Sequence, residues 1–429
     1  MQRRALTRRS FLGLSAAAAA GLALTGCEQE RADGKTEVEF VSYKQEAVTI
    51  FNSLAEQFNA QSDDVYLNFT SPNDAVTIMK TRFVREDYPE VVAIGGDATY
   101  ADFVDSEMLA DVSDYPGMAN VNEAYKEIMK SITYIPMDGI YGIPYIANAA
   151  GMLYNKDMFA EKGWQIPTTW TEFCDLCEEI KAEGETLPLY LGYRDTWTIL
   201  SPWNSMLVQL VPTDHVRQVN AGETTFTELY REPAEKLLKL LEYAESGPLA
   251  YSYNDACTAF ARGQSAMYPC GSFAVPQILS VNPDMNIGLF AMPAADDPAD
   301  RIVVSGVDLC WDVCTAKADK KDAIYQVVDF LNTPENLQAY IDDQKAIPCT
   351  TGDFKLDPLF DDITEFIDEG KLIDYPDHSY PSAMACDTVL QGLINDQDID
   401  AFLAKWDSDW QRYNKSVIRK VQEYEANQG

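Results

Sequence analysis

The stretch TEVEFVSYKQEAVTIFNSLAEQFNAQSDDVYLNFT (residues 36–70), with PEVVAIGGD (residues 89–97) after it, decides the fold. Glu37–Val41 alternates polar and apolar residues and reads as a first strand. From Val48 to Asn59, Ile50, Phe51, Leu54 and Phe58 recur at helical spacing and share one face. Val65–Phe69 is a second strand, and Val91–Ile94 is a short, wholly apolar run ended by Gly95, as in the buried strand of a parallel sheet. Strands alternating with helices imply an α/β sheet with right-handed crossovers. Ligands of such sheets sit beyond the C-terminal ends of the strands, which makes Tyr43, Asn73, Asp74 and Asp97 candidate contacts.

Further along, Thr169 and Glu172 have the spacing of a capping box and open a helix to about Ala182. Pro233–Glu245 and Asp322–Leu331 are amphipathic helices, Val303, Val307 and Leu309 mark a strand region, and Asp398–Glu425 is helical with Trp406 and Trp410 four apart. With 429 residues the chain exceeds what one small core holds and suggests two lobes.

The N-terminus reads as an export segment. Arg3, Arg4, Arg8 and Arg9 precede the apolar run Phe11–Leu24, which is shorter than the ~20 residues that span a bilayer. Thr7–Leu12 resembles a twin-arginine signal and Leu24–Cys27 a lipobox, so that Cys27 would become the lipidated first residue and residues 27–36 its tether. An ordinary cleaved signal with a chance cysteine is the alternative. Cleavage before Cys27 removes four arginines and no acid, taking the formal charge from −35 to −39. Such acidity excludes a nucleic-acid partner, whose phosphates demand Lys and Arg. Two histidines cannot build a multi-His metal centre. Gly95-Gly96 lacks the further glycines and lysine of a phosphate loop, so no nucleotide cofactor is expected.

Three groups of residues carry a family resemblance: Gly142-Ile143-Pro144 with Leu153–Asp157 and Pro167–Trp170; Phe260–Met267 leading to Gly271-Ser272-Phe273; and Pro334-Glu335-Asn336 with Ala346-Ile347-Pro348. In order and spacing the chain resembles the extracellular solute-binding proteins of ABC importers, in particular the sugar-binding family that includes maltose and multiple-sugar binding lipoproteins. The resemblance implies a two-lobed periplasmic-binding-protein-like α/β fold with hinge crossings and an interlobe ligand cleft, closing on its ligand by hinge bending. It places lobe 1 at residues 37–145 plus 272–331 and lobe 2 at 146–271 plus 332–429, with crossings near Tyr145, Gly271 and Asn332. It further implies a carbohydrate ligand, an ABC permease partner, no catalysis, and a monomer anchored by its lipid to the outer face of the cytoplasmic membrane.

A sugar offers hydroxyls and apolar C–H faces, so its receptor needs carboxylates, amides and flat rings. By resemblance Asp97 is an acidic sugar contact; as a residue, it could equally cap the helix that follows. Asp195, Trp197 and Trp203 come from the loop after the strand Leu187–Leu191. Trp197 is the stacking candidate, although tryptophans also fill cores. Tyr145 and Asn148 lie at the first crossing, and Gly271, Ser272 and Phe273 form a glycine–polar–aromatic turn at the second. Asp308, at an apolar strand end, either meets ligand or pairs with Lys or Arg. His378 and Tyr380 lie in a loop the family uses for contact, and Lys44 either binds hydroxyls or is solvated.

Eight cysteines follow Cys27. Cys174 and Cys177 sit in one helix and Cys310 and Cys314 along one strand, so most of the eight read as small buried hydrophobes rather than disulfides or zinc ligands. Asp396–Asp400 looks like the start of a calcium loop but has Ala401 where the glycine belongs, which leaves helix capping and no metal. Other polar solutes (a polyamine, polyol or peptide) are the alternative ligands, and an exported glycoside hydrolase is the alternative of another class.

Overall fold

The computed structural model describes residues 34–45 and 47–428. The expected export segment, Cys27 and most of its tether therefore lie outside the described residues. Among those described, twelve strands run in chain order: β1 (Thr36–Ser42), β2 (Val65–Thr70), β3 (Val91–Ile94), β4 (Ile143–Ala147), β5 (Met152–Asn155), β6 (Leu187–Leu189), β7 (Ser265–Tyr268), β8 (Ile287–Phe290), β9 (Val303–Val304), β10 (Val307–Val313), β11 (Ile347–Pro348) and β12 (Leu372–Ile373). They form a six-stranded sheet ordered β11-β4-β10-β3-β1-β2, a four-stranded sheet ordered β6-β7-β5-β8 and a two-stranded β12-β9 pair. β1, β2 and β3 are parallel, while β10 runs antiparallel between β3 and β4.

Alternation along β1 builds a core on each side of the larger sheet. Val38 and Phe40 face Phe51, Leu54 and Phe58 of the helix Val48–Gln61, whereas Val41 joins Met79, Phe83 and Tyr100 on the opposite face. Trp311 of β10 lies in the first of these cores, with ring contacts to Phe40, Phe51 and Tyr145. The second lobe's core gathers Trp203, Trp406, Trp410, Phe226 and Tyr230, mostly in edge-on contacts that aromatic quadrupoles favour.

Strand pairing moves the expected lobe boundaries. The chain leaves the six-stranded sheet between Ala147 and Met152, close to the crossing read near Tyr145. It does not return near Gly271, because β8 pairs with β5 and keeps residues 287–290 in the second lobe. It returns between Phe290 and Val307, and leaves again after β11 rather than near Asn332, since β11 still pairs with β4 and the following turn Pro358–Ile363 packs on β8. Gly271 is nevertheless at the hinge in space, bridging Ala150 of the first crossing.

Other local readings change in detail. Thr169 caps the helix Trp170–Glu183 by accepting from Glu172 N, but the Glu172 carboxylate turns back to Thr168 rather than Thr169. The helix expected over Pro233–Glu245 spans Arg231–Leu240 and tightens into a 3-10 turn through Tyr243. The C-terminal segment is two helices, Ile399–Tyr413 and Lys415–Gln428, the first capped by Asp398 as expected. All eight described cysteines are free thiols and six are buried. No described helix is long and apolar enough to cross a membrane, and no described group of His, Cys, Asp or Glu is arranged to hold a metal.

Candidate ligand-binding site

The sheet directions bring four loops to one edge. β1, β3 and β4 end there, delivering Tyr43, Gly95–Asp97 and Asn148, and antiparallel β10 begins there, delivering Asp308. The segment after β12, which is tied to β9 at the hinge, adds His378. These residues line a cavity of about 60 Å³ together with Gly306 and Val307. Five residues singled out from the sequence, Tyr43, Asp97, Asn148, Asp308 and His378, thus converge on one point.

Each is held by identifiable contacts. Asp97 does cap the helix Ala98–Asp105, its Oδ1 accepting from Thr99 N at 2.7 Å and Tyr100 N at 3.3 Å, and it lines the cavity as well. Lys44 and Asp308 form an ion pair at 2.7 Å, and Tyr43 Oη donates to the Asp308 carbonyl at 2.6 Å. Asp308 is therefore the ion-paired acid that its apolar strand end demanded, and Lys44 is its partner rather than a solvated surface group. Asn148 Oδ1 accepts from Tyr375 Oη at 2.8 Å. His378 Nδ1 lies 2.9 Å from Asp374 Oδ1. Burial alone would lower the His378 pKa, but the charge and hydrogen bond of Asp374, with Asp377 and Asp97 nearby, raise it to about 10. The imidazole is thus a cation at neutral pH.

Next to this polar cluster lies an exposed aromatic group. Trp197 (42% exposed) and Phe273 (38% exposed) have ring centroids 6.0 Å apart, and the Tyr253 ring lies 4.9 Å from that of Trp197. Phe273 is set by the turn at Gly271, where a Cβ would come within 2.3 Å of the Phe273 ring and 2.8 Å of the Ala149 carbonyl, so only glycine fits. The rings consequently stand beside the crossing that carries Asn148.

Other candidates serve the fold instead. Tyr145 is fully buried among Phe51, Trp311 and Tyr340, because its alternation along β4 turns it into the sheet core. Trp203 is fully buried on the helix Leu200–Leu210, packed on Tyr230 and Trp406. Tyr380 is buried and hydrogen-bonds Tyr230 Oη at 2.7 Å. Ser272 is buried with Oγ accepting from Ala149 N at 3.3 Å, and Gly271 bridges Ala150; both act on the crossing. Asp74 is exposed in left-handed backbone before the helix Ala75–Val84, with Asn73 exposed beside it. Asp195 accepts from Tyr253 N at 2.8 Å and fixes the loop that bears Trp197.

Asp374, Tyr375 and Asn204 were missed. Asn204 is buried on the helix behind Trp197 and exchanges two hydrogen bonds with Asp377, coupling that helix to the His378 turn. The crowding of Asp374, Asp377 and His378 within five residues was the visible signal; Asn204 left none, since its partner is distant in sequence.

A model of the bacterial extracellular solute-binding proteins matches residues 42–338. The chain belongs to that family. It is similar to a multiple sugar-binding protein of Streptococcus mutans, 28% identical over 338 residues that cover 74% of this chain and 77% of that one. Among solved structures it resembles the apo form of RafE from Streptococcus pneumoniae, with a TM-score of 0.78 at 21% identity over 88% of this chain and 98% of that one. A sugar transporter protein of Bacillus licheniformis in complex with stachyose gives a TM-score of 0.67 at 18% identity, over 88% of this chain and all of that one. These likenesses confirm a two-lobed solute-binding fold.

The binding protein also has a larger cavity, about 1030 Å³, between the helix Glu123–Ser131 and residues 207–217. Its walls are mainly apolar, including Ile128, Met137, Leu207, Val211 and Leu372, and its cations Lys130 and Arg217 are paired with Glu127 and Asp214. Asp374 and Tyr375, which hold His378 and Asn148, also line it, but none of the five converging candidates does. The polar cluster with its aromatic neighbours is the better match to a ligand that must be read by hydroxyls and ring faces.

Proposed function

We propose that this solute-binding protein captures a sugar or short oligosaccharide outside the cytoplasm and hands it to an ABC permease, acting as a monomer held to the outer face of the cytoplasmic membrane by a lipid on Cys27. The carrying observation is the convergence of Asp97, Asn148 and His378 on one cavity, with the exposed and mutually packed rings of Trp197 and Phe273 carried by a turn at Gly271 that meets Ala149 and Ala150, next to Asn148 along the chain. At about 60 Å³ the cavity is well below the ~300–1,000 Å³ of ordinary ligand pockets, so it suits the hydroxyl rim of a ring whose apolar face lies on the aromatics. Asp97 Oδ2 and the Asn148 amide are the groups for those hydroxyls.

Neutralisation of Asp308 by Lys44, and of Asp374 by His378, speaks against a polyamine, which would want uncompensated carboxylates. The names of relatives, with raffinose and stachyose bound in two of the similar structures, support the saccharide class. Thermal shift and calorimetry across mono- and oligosaccharides, raffinose and stachyose included, test the reading: saturable one-site binding is expected, and a flat panel refutes it. Enzymatic release of reducing sugar would refute it too. Metabolic labelling with palmitate, abolished by Cys27→Ala, tests the anchor.

A further inference from the structure

We infer that Glu245 is the positioning residue of the aromatic platform, a buried carboxylate that sets where Trp197 stands. The inference rests on the reading of Trp197 as a sugar-stacking ring. β6 is an edge strand, and the chain beyond it must reach Trp197 with no neighbouring strand to satisfy its amides. Glu245 supplies the first two partners. Its Oε2 accepts from Leu191 N at 2.8 Å and its Oε1 from Gly192 N at 2.9 Å, with the residue only 7% exposed.

The next amides continue along the same segment. Tyr193 N donates to Pro248 O and Arg194 N to Tyr251 O, both at 2.9 Å. Asp195 then returns the favour in the other direction, accepting from Tyr253 N. Residues 245–253 thus act as a substitute strand, one side-chain carboxylate standing in for two backbone carbonyls. The ladder ends two residues before Trp197 and passes under Tyr253, the ring that packs on it.

Gly192 makes the same point sterically. Its φ is +65°, and a Cβ there would come within 2.7 Å of the Ser252 carbonyl and of the Ala256 side chain. The chain is pressed against the neighbouring segment where Glu245 grips it. A neutral or absent side chain at 245 would leave at least one of two adjacent buried N–H groups unpaired, and the loop would rearrange to find water.

Hydrogen exchange and acrylamide quenching test this without any sugar. In the wild type, the amides of Leu191 and Gly192 exchange far more slowly than exposed loop amides; exchange at the exposed-loop rate overturns the proposal outright. In Glu245→Ala, and less severely in Glu245→Gln, whose amide oxygen keeps one acceptor, those two amides exchange roughly tenfold faster or more, as loss of charge-assisted hydrogen bonds requires. The quenching of Trp197, isolated by subtracting the same measurement on Trp197→Phe, changes with them. Raffinose affinity falls by about tenfold in Glu245→Ala and recovers partly in Glu245→Gln. A folded Glu245→Ala protein with wild-type exchange and quenching refutes the positioning role. Altered exchange and quenching with no sugar binding in any variant, wild type included, refutes the sugar reading and leaves the clamp standing.

Discussion

Two tryptophans six residues apart should behave as opposites. Trp203 is fully buried against Tyr230, Phe402 and Trp406, whereas Trp197 is 42% exposed beside Phe273. Truncating Trp203 to Ala removes a large core ring, which costs about 3–5 kcal/mol of folding stability. Truncating Trp197 exposes little that is not already wet, so its stability cost stays within about 1 kcal/mol. Binding is the reverse. An indole buries ~150–250 Å² when covered completely, so the 42% still exposed is roughly 80 Å² available to a sugar face. At ~25 cal/mol per Å² that is about 2 kcal/mol, or some thirtyfold in affinity. Urea denaturation and calorimetric titration with raffinose, run on both variants, measure the four quantities. Trp197→Ala binding within twofold of wild type would refute the stacking role, and a stable Trp203→Ala that has lost affinity would refute its assignment to the core.

Three further outcomes follow from buried charge and thiols. The raised His378 pKa, about 10 against an unfolded value near 6.5, means its ion pair with Asp374 stabilises fully below about pH 6.5 and loses that contribution as pH rises through about 10. Wild-type stability should therefore fall between pH 7 and 10 more steeply than that of His378→Gln. Asp312 is fully buried with neither carboxylate oxygen hydrogen-bonded among the described residues, and burial raises its pKa well above the usual range. The native state keeps a proton that the unfolded chain releases above about pH 4, so this residue destabilises progressively as pH rises from there toward its folded pKa. Asp312→Asn should be more stable than wild type at pH 7 and less so at pH 4, by urea denaturation; equal pH profiles would refute the buried protonated acid. Among the described cysteines, maleimide labelling of the native protein should reach the partly exposed Cys174 and Cys386 first and the six buried thiols only on unfolding; rapid native labelling of Cys257 or Cys349 would contradict the packing.

The strands and helices that alternate from Thr36 to Ile94 were legible because each obeys a single period, two along β1 and 3.6 along the helix Val48–Gln61. Tyr43 and Asp97 could be read as site candidates for a related reason, since strand ends in an α/β sheet fall on one edge whatever the side chains are, whereas Asn148 came from the family resemblance and Asp308 from that resemblance and the cost of burying an acid. What escaped depended on partners remote in sequence. Nothing within reach of Trp203 or Tyr380 says that each will be enclosed by the C-terminal helix bearing Trp406 and Trp410. β8 is four apolar residues whose lobe is set only by pairing with β5, more than a hundred residues earlier, and so the second crossing was placed too soon. Glu245 carried no motif, since its partners are backbone amides some fifty residues away.

On the proposed function, a saccharide sits between the polar cluster at the strand ends and the aromatic pair of the second lobe. Co-crystallisation with the saccharide that binds best is the decisive experiment. The expected result is a sugar with hydroxyls hydrogen-bonded to Asp97 and Asn148 and a ring face on Trp197. A saccharide lodged instead in the cavity between the helix Glu123–Ser131 and residues 207–217, with Asp97 and Trp197 untouched, would contradict it.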